Sequence, residues 1–229
     1  MRSIPVVTLD EVEAVAAGWI AELAELLALS ADLERALVTG PQAPPRLLAR
    51  LVGMLPASEA SHDAAPGGLL RHSLRVAVAT LRLHGARDVP RVGSRGYERW
   101  RRERIALYLA ALVHDVGQMW SVDIQCGDHH WPCHRYLVPW SLQCGASTLQ
   151  VRFRFGVESA GHRGHEALSA LYLPMLVPLG AIGSLGRRCA SDLLASCTAS
   201  LGARPLAPAF ALIREADRHE TLAAAAQGG

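Results

Sequence analysis

Residues 105–117 read Ile-Ala-Leu-Tyr-Leu-Ala-Ala-Leu-Val-His-Asp-Val-Gly, an apolar run that closes on two polar side chains and a glycine. Ile105, Leu109, Leu112 and Val116 recur at helical spacing, so the stretch reads as the buried end of a helix that begins near Tyr97 and stops at Gly117. His114 and Asp115 then sit where an apolar helix ends, and two polar groups in such a place need a partner. Consecutive helical residues are rotated by about 100°, so both can turn to one ion only if it lies against the helix edge, with other elements closing the shell. His72 and Asp217, each on its own expected helix, are the natural closers. Imidazole nitrogen with carboxylate oxygen suits manganese, iron, nickel or zinc better than calcium. Taken singly, any of these residues is more often a capping or hydrogen-bonded group than a ligand.

Outward from that run the chain is helical in pattern. Thr8 and Glu11 form a capping box, followed by Val12, Ala16, Ile20, Leu23 and Leu27 on one face. Ser30 is expected to cap a short second helix ending near Gly40, and Pro41, Pro44 and Pro45 to make a stiff connector. Further helices are expected over about 46–55, 69–84, from near 164 to 176, 185–201 and 208–225. Residues 149–157 alternate Val151, Phe153 and Phe155 with Arg152 and Arg154, the pattern of a short exposed strand or hairpin. The fold class is therefore mainly α with one short β region there.

Composition agrees with that class. Of 229 residues half are hydrophobic but only 5% aromatic, so the core is built from Leu, Ala and Val, which favours helices over an all-β fold. The net charge of +2 gives no global pull toward nucleic acid. All 23 basic side chains are arginine; there is no lysine. Five cysteines without a signal-like segment at Met1 point to free thiols and a cytoplasmic location. Residues 167–186 form an uncharged run long enough to span a membrane, but Pro174, Pro178, Gly180 and Gly183 interrupt it, so no span is expected.

Two further clusters stand out. Arg87, Arg91, Arg95, Arg99, Arg101, Arg102 and Arg104 surround Trp100 just before the His-Asp helix, and Arg99, Arg102 and Trp100 are candidates for phosphate contact and base stacking. A solvated face tempered by Glu98 and Glu103 explains the cluster equally well. Cys126, His129, His130, Cys133, His134 and Cys144 crowd one irregular stretch, but their spacing matches no defensible zinc pattern.

A His, then His-Asp-x-Gly some tens of residues on, then a distant Asp resembles the HD superfamily of metal-dependent phosphohydrolases. The surroundings sharpen the likeness: Leu55-Pro56-Ala57-Ser58, His62-Asp63, Pro66-Gly67-Gly68-Leu69-Leu70-Arg71-His72, Ala110-Ala111-Leu112-Val113-His114-Asp115-Val116-Gly117, Val151-Arg152-Phe153-Arg154, His165 with Ala167-Leu168-Ser169, and Ile213-Arg214-Glu215-Ala216-Asp217. In that order they resemble the HD-type relaxase domain (MobH, TraI-like) of conjugative and integrative elements. The resemblance implies His72, His114, Asp115 and Asp217 as ligands of a divalent metal ion, magnesium included among the candidates. It places His165 as a further ligand and His62 beside them, with Asp115, His62 and Gln118 in catalytic positions.

It also implies a domain at 46–225 with residues 1–45 as a helical extension packed on it. The expected activity is phosphodiester cleavage in single-stranded DNA at a transfer origin, with other conjugative-transfer proteins as partners. Family members normally carry lysine where this chain has Gln118, and a second histidine where it has Asp63. They usually continue into a C-terminal domain beyond the 229 residues here. Three readings follow: a relaxase-type nuclease, a catalytically impaired domain that binds DNA or a transfer protein, and an HD hydrolase of nucleotides or other small phosphate esters.

Overall fold

The computed structural model describes residues 2–5, 7–58, 63–126, 129–132, 148–153, 168–197 and 207–227. Strand β1 (Arg2–Pro5) leads into α1 (Leu9–Leu27). The expected capping box is present: Glu11 N donates to Thr8 Oγ1 at 3.2 Å and Thr8 N to Glu11 Oε2 at 2.7 Å. Helix α2 (Ala31–Glu34) continues through one π turn, Arg35–Thr39, and Ser30 makes no side-chain cap bond there. Pro44 and Pro45 form the first turn of α3 (Pro44–Val52) and not a connector, because proline's fixed φ suits a position whose N–H has no helical partner anyway. Helices α4 (Gly68–Gly85) and α5 (Arg95–Val113) follow, the latter capped by Ser94 Oγ accepting from Tyr97 N.

After α5 a 3₁₀ turn (Val116–Ser121) delivers the chain into β2 (Val122–Cys126) and β3 (His129–Pro132). Strand β4 is Thr148–Phe153. The sheet is antiparallel in the order β1-β4-β2-β3, with Ile4 opposite Leu149 and Ile124 opposite both Val151 and Trp131. Of the alternating stretch expected near 149–157, the described residues up to Phe153 form an interior strand of the sheet, hydrogen-bonded on both sides. Its β1 partner lies about 150 positions away in the chain, beyond the reach of any local pattern.

Of the helix expected from near 164 to 176, the described residues are helical at 168–169, turn at 170–172, and form the four-residue α6 (Leu173–Leu176), where Pro174 occupies the first turn. Helices α7 (Leu179–Ser184) and α8 (Gly186–Cys197) are separated by Leu185 and by Gly186 at φ +73°. A 3₁₀ turn (Pro208–Phe210) opens α9 (Ala211–Gln227). Among the described residues no helix is long and apolar enough to cross a membrane.

Helix α4 is central: α1, α5 and α9 all pack against it, while α8 packs on the outer side of α5. One hydrophobic cluster runs from Ile4 to Ala216, drawing on both sides of the division expected near residue 45. Arg104, expected among the surface cations, is instead buried. Its Nε and Nη2 donate to Leu26 O at 3.0 and 2.7 Å and its Nη1 to Leu81 O at 2.9 Å, so one guanidinium caps the last turns of α1 and α4 from α5. A helix end has carbonyls without helical donors, and a planar fork can serve two such ends at once. Tyr108, fully buried, likewise donates to Leu37 O at 2.7 Å.

Lysine at position 104 has no fork and cannot reach both carbonyls. Arg104→Lys should lower unfolding stability by about 1–3 kcal/mol, the cost of a buried acceptor left unserved. Urea denaturation followed by far-UV circular dichroism measures it.

Candidate metal centre

His72 lies in the second turn of α4, and the entry of that helix is fixed by backbone contact. A Cβ at Gly68 would stand 1.8 Å from Asp63 O and 3.0 Å from Ala57 N, so only glycine allows the preceding loop to close there. Asp63 O accepts from Ala57 N at 3.0 Å, Leu55 O accepts from Leu69 N at 2.9 Å, and Gly67 takes φ +75°. The Pro-Gly-Gly string before His72 therefore has a steric cause. The same closure puts Asp63, itself at φ +47°, beside the first turns of α4.

His114 and Asp115 come from the end of α5. The helix stops at Val113; His114 keeps helical dihedrals, and Asp115 turns away at φ −107°, ψ 2°. That bend answers the rotation problem posed by adjacent helical residues, because only one of the pair is still helical. Ser169 fastens the bend: its Oγ donates to His114 O at 2.8 Å and accepts from Gly117 N at 2.8 Å. His114 Nδ1 lies 2.7 Å from Ala111 O, which makes Nδ1 the protonated nitrogen and leaves the Nε2 lone pair directed at the cluster.

Asp217 arrives on α9, whose rotation is set by Ile213 and Ala216 in the core and by an ion pair one turn on, Glu220 Oε2 to Arg75 Nε at 3.2 Å. Arg75 also grips Asp63, Nη1–Oδ1 at 3.2 Å and Nη2–Oδ2 at 2.5 Å. One arginine of α4 thus ties the loop before His72 to the helix that carries Asp217.

The result is a cluster of four ligand atoms, from His72, His114, Asp115 and Asp217, all within 4.8 Å of one another. His72 Nε2 is 3.0 Å from Asp217 Oδ1 and 3.4 Å from Asp115 Oδ2; His114 Nε2 is 3.5 Å from Asp115 Oδ2 and 3.8 Å from Asp217 Oδ1. Ligands bound at about 2.0–2.2 Å stand about 3.0 Å apart at right angles and about 3.4 Å apart at the tetrahedral angle. The measured separations fall around those values, and three of the four exceed a normal hydrogen bond. His114 Nε2 is buried without a hydrogen bond among the described residues, an acceptor that a cation would satisfy. These residues can hold a divalent metal ion.

The electrostatics agree. Burial presses the His72 pKa down, but the carboxylates of Asp115 and Asp217 overcome it and hold the imidazole up at about 9. His114 is raised in the same way, burial opposing and the Asp115 charge prevailing. Burial would raise Asp217, yet the neighbouring His114 and His72 imidazoles bring it well below the usual carboxylate range. Positive charge is therefore favoured at the point where the four groups meet. The side chains of His72 and Asp115 are buried, whereas that of Asp217 is 41% exposed, so the centre opens to solvent on the α9 side.

Gln118 donates from Nε2 to Asp115 Oδ2 at 2.6 Å, the same oxygen that faces His72 and His114, and so fixes the carboxylate at the edge of the cluster. His62 and His165 lie outside the described residues, as do the side chains of the Cys126–Cys144 stretch. Arg99 and Arg102 are exposed on α5, far from the cluster. Trp100 packs against His84 and Tyr97, with ring centroids 5.2 and 5.8 Å away and the Arg104 guanidinium 5.2 Å from its ring. Ser169 and the Arg75–Asp63–Glu220 bridge were not assigned from sequence. A serine and a salt-bridged arginine carry no spacing signal of their own.

One family model, TraI_2, described as "Putative helicase", matches residues 16–221, and the chain belongs to that family. No curated protein and no solved structure matches it. The chain has no lysine, so it does not itself contain the lysine of a Gly-x-x-x-x-Gly-Lys phosphate loop on which many helicases depend.

Gly68→Ala tests the steric argument. It should cost at least about 1–3 kcal/mol, as overpacking against backbone that cannot yield, and should disturb His72. Denaturation, with the His72 imidazole resonances as local probe, reads both effects.

Proposed function

We propose that the His72, His114, Asp115 and Asp217 cluster binds a divalent metal ion and that the protein is a metal-dependent phosphodiesterase of the HD type, nicking DNA in conjugative transfer. The observation that carries this reading is the meeting of four ligand atoms from three helices at coordinating separations, in a chain of the TraI_2 family. The HD and relaxase assignments rest on the sequence resemblance, including the positions of His62 and His165.

Bound there, a divalent cation would offset charge on a phosphoryl oxygen and acidify water near phosphorus. The chain's own groups prepare the place. Ala111 O fixes the His114 tautomer, Gln118 fixes the Asp115 carboxylate, and His72 and Asp115 are themselves buried from bulk water. The exposed side at Asp217 leaves an approach for a phosphodiester. Gln118 supplies no positive charge toward such a substrate, which is the specific observation favouring the second reading, a DNA- or transfer-protein-binding domain with impaired cleavage.

Metal analysis of the purified protein should find about one divalent ion per chain, lost in His72→Ala and Asp217→Ala. At a hundredfold excess over Kd the ion should stabilise the wild type by about 2.7 kcal/mol and these variants not at all, as a thermal shift shows. In a nicking assay on supercoiled DNA, Asp115→Ala should abolish cleavage and Gln118→Lys should raise it tenfold or more, about 1.4 kcal/mol of transition-state charge stabilisation. Hydrolysis of free nucleotides with DNA untouched would reject the nuclease reading in favour of a small-ester hydrolase. Metal binding with cleavage appearing only in Gln118→Lys would establish the impaired domain.

A further inference from the structure

A groove of about 520 Å³ lies between the first turns of α5 and α8, at the opposite end of α5 from the metal centre. Arg95, Arg99 and Arg102 line it from α5, at positions that share one helical face, and Arg187 and Arg188 line it from α8. All five are exposed, and among the described residues none lies in ion-pair contact with a carboxylate. The one acidic residue in the lining, Glu98, is 3.7 Å from Arg101. Five cations against one anion is a strong local excess in a chain whose basic and acidic residues number 23 and 21. Both helices also point their N-terminal turns at the groove, where the backbone adds partial positive charge.

We infer that this groove binds the phosphates of a single strand of nucleic acid, without reading its bases. The lining supplies guanidinium forks for phosphate but no aromatic face for a base, since Trp100 is stacked on His84 and Tyr97. Cations on two opposing walls suit a strand that lies between them better than a duplex passing over them. Arg187 and Arg188 extend the surface beyond α5, and nothing in their local sequence distinguishes them from other exposed arginines.

From Arg99 to His114 the helix rises about 22 Å, or about six nucleotides at the stacked rise of about 3.4 Å. A strand gripped in the groove is thus held well away from the metal centre. The inference deepens the nuclease reading by naming where the strand is held, and its test does not depend on cleavage.

The test is fluorescence anisotropy with a labelled oligothymidylate of about 20 nucleotides, longer than the ~4–16 typical of a single-strand-binding OB fold, titrated over a range of salt. Wild type should bind with a steep salt dependence. Arg187→Ala/Arg188→Ala and Arg99→Ala/Arg102→Ala should each reduce the log–log slope by about 1.4 and weaken binding tenfold or more at about 0.1 M salt. Arg187→Lys/Arg188→Lys should keep most of the affinity, because phosphate contact needs charge more than the fork. Asp217→Ala should lose the metal and cleavage yet bind the oligonucleotide as wild type does, so a failed nuclease reading leaves this result standing. Unchanged binding in both double-alanine variants, with melting temperatures showing them folded, would overturn the inference. So would tight binding of inorganic tripolyphosphate by wild type with no binding of the oligonucleotide.

Discussion

The contact on which the arrangement depends is the approach of the Asp63 carbonyl to the α-carbon of Gly68. It leaves no room for a side chain, and through it the loop before α4 closes tightly enough to seat His72 and to bring Asp63 under Arg75. Arg75 then reaches Glu220 and, with Ile213 and Ala216 in the core, sets the face that α9 presents. A steric fact at one backbone atom is passed by a single guanidinium to the helix that supplies the last carboxylate. Without the contact the loop loses its seat beside His72, and α9 keeps only the core packing of residues such as Ile213 and Ala216 to set its rotation.

Much of this could be read from the chain and part could not. The helices α1, α4, α5 and α9 were legible because each has a long apolar period and a recognisable start, such as the Thr8–Glu11 box. The convergence of His72, His114, Asp115 and Asp217 was also expected, but on family likeness, since spacing alone cannot bring three separated helices together. The sheet was legible only in its β4 strand and without that strand's neighbours: pairing of residues 2–5 with 148–151 is a non-local choice that no short window contains. Arg104 looked like one more surface cation in a run of arginines. Its burial follows from two helix ends that need a donor, and those ends are 78 and 23 residues away in sequence.

The two charged features of the molecule have opposite sign and lie at opposite ends of one helix. At the His114 end, the carboxylates of Asp115 and Asp217 outweigh burial and raise the pKa of the His72 and His114 imidazoles. At the Ser94 end, exposed guanidinium groups gather with little to neutralise them. A formal net charge of +2 averages over both and conceals each, which is why bulk charge was a poor guide to the partners such a surface attracts.

Helix α5 joins these two ends as an uninterrupted rod of 19 residues, its inner half wholly enclosed by neighbours. A rod of this kind behaves as a ruler. Its side chains can change while its length cannot, because inserting or deleting one residue would swing one end about 100° relative to the other while altering the span by only about 1.5 Å. The exposed outer turns of this segment can therefore take substitutions, while an insertion or deletion anywhere along it would misalign the two ends.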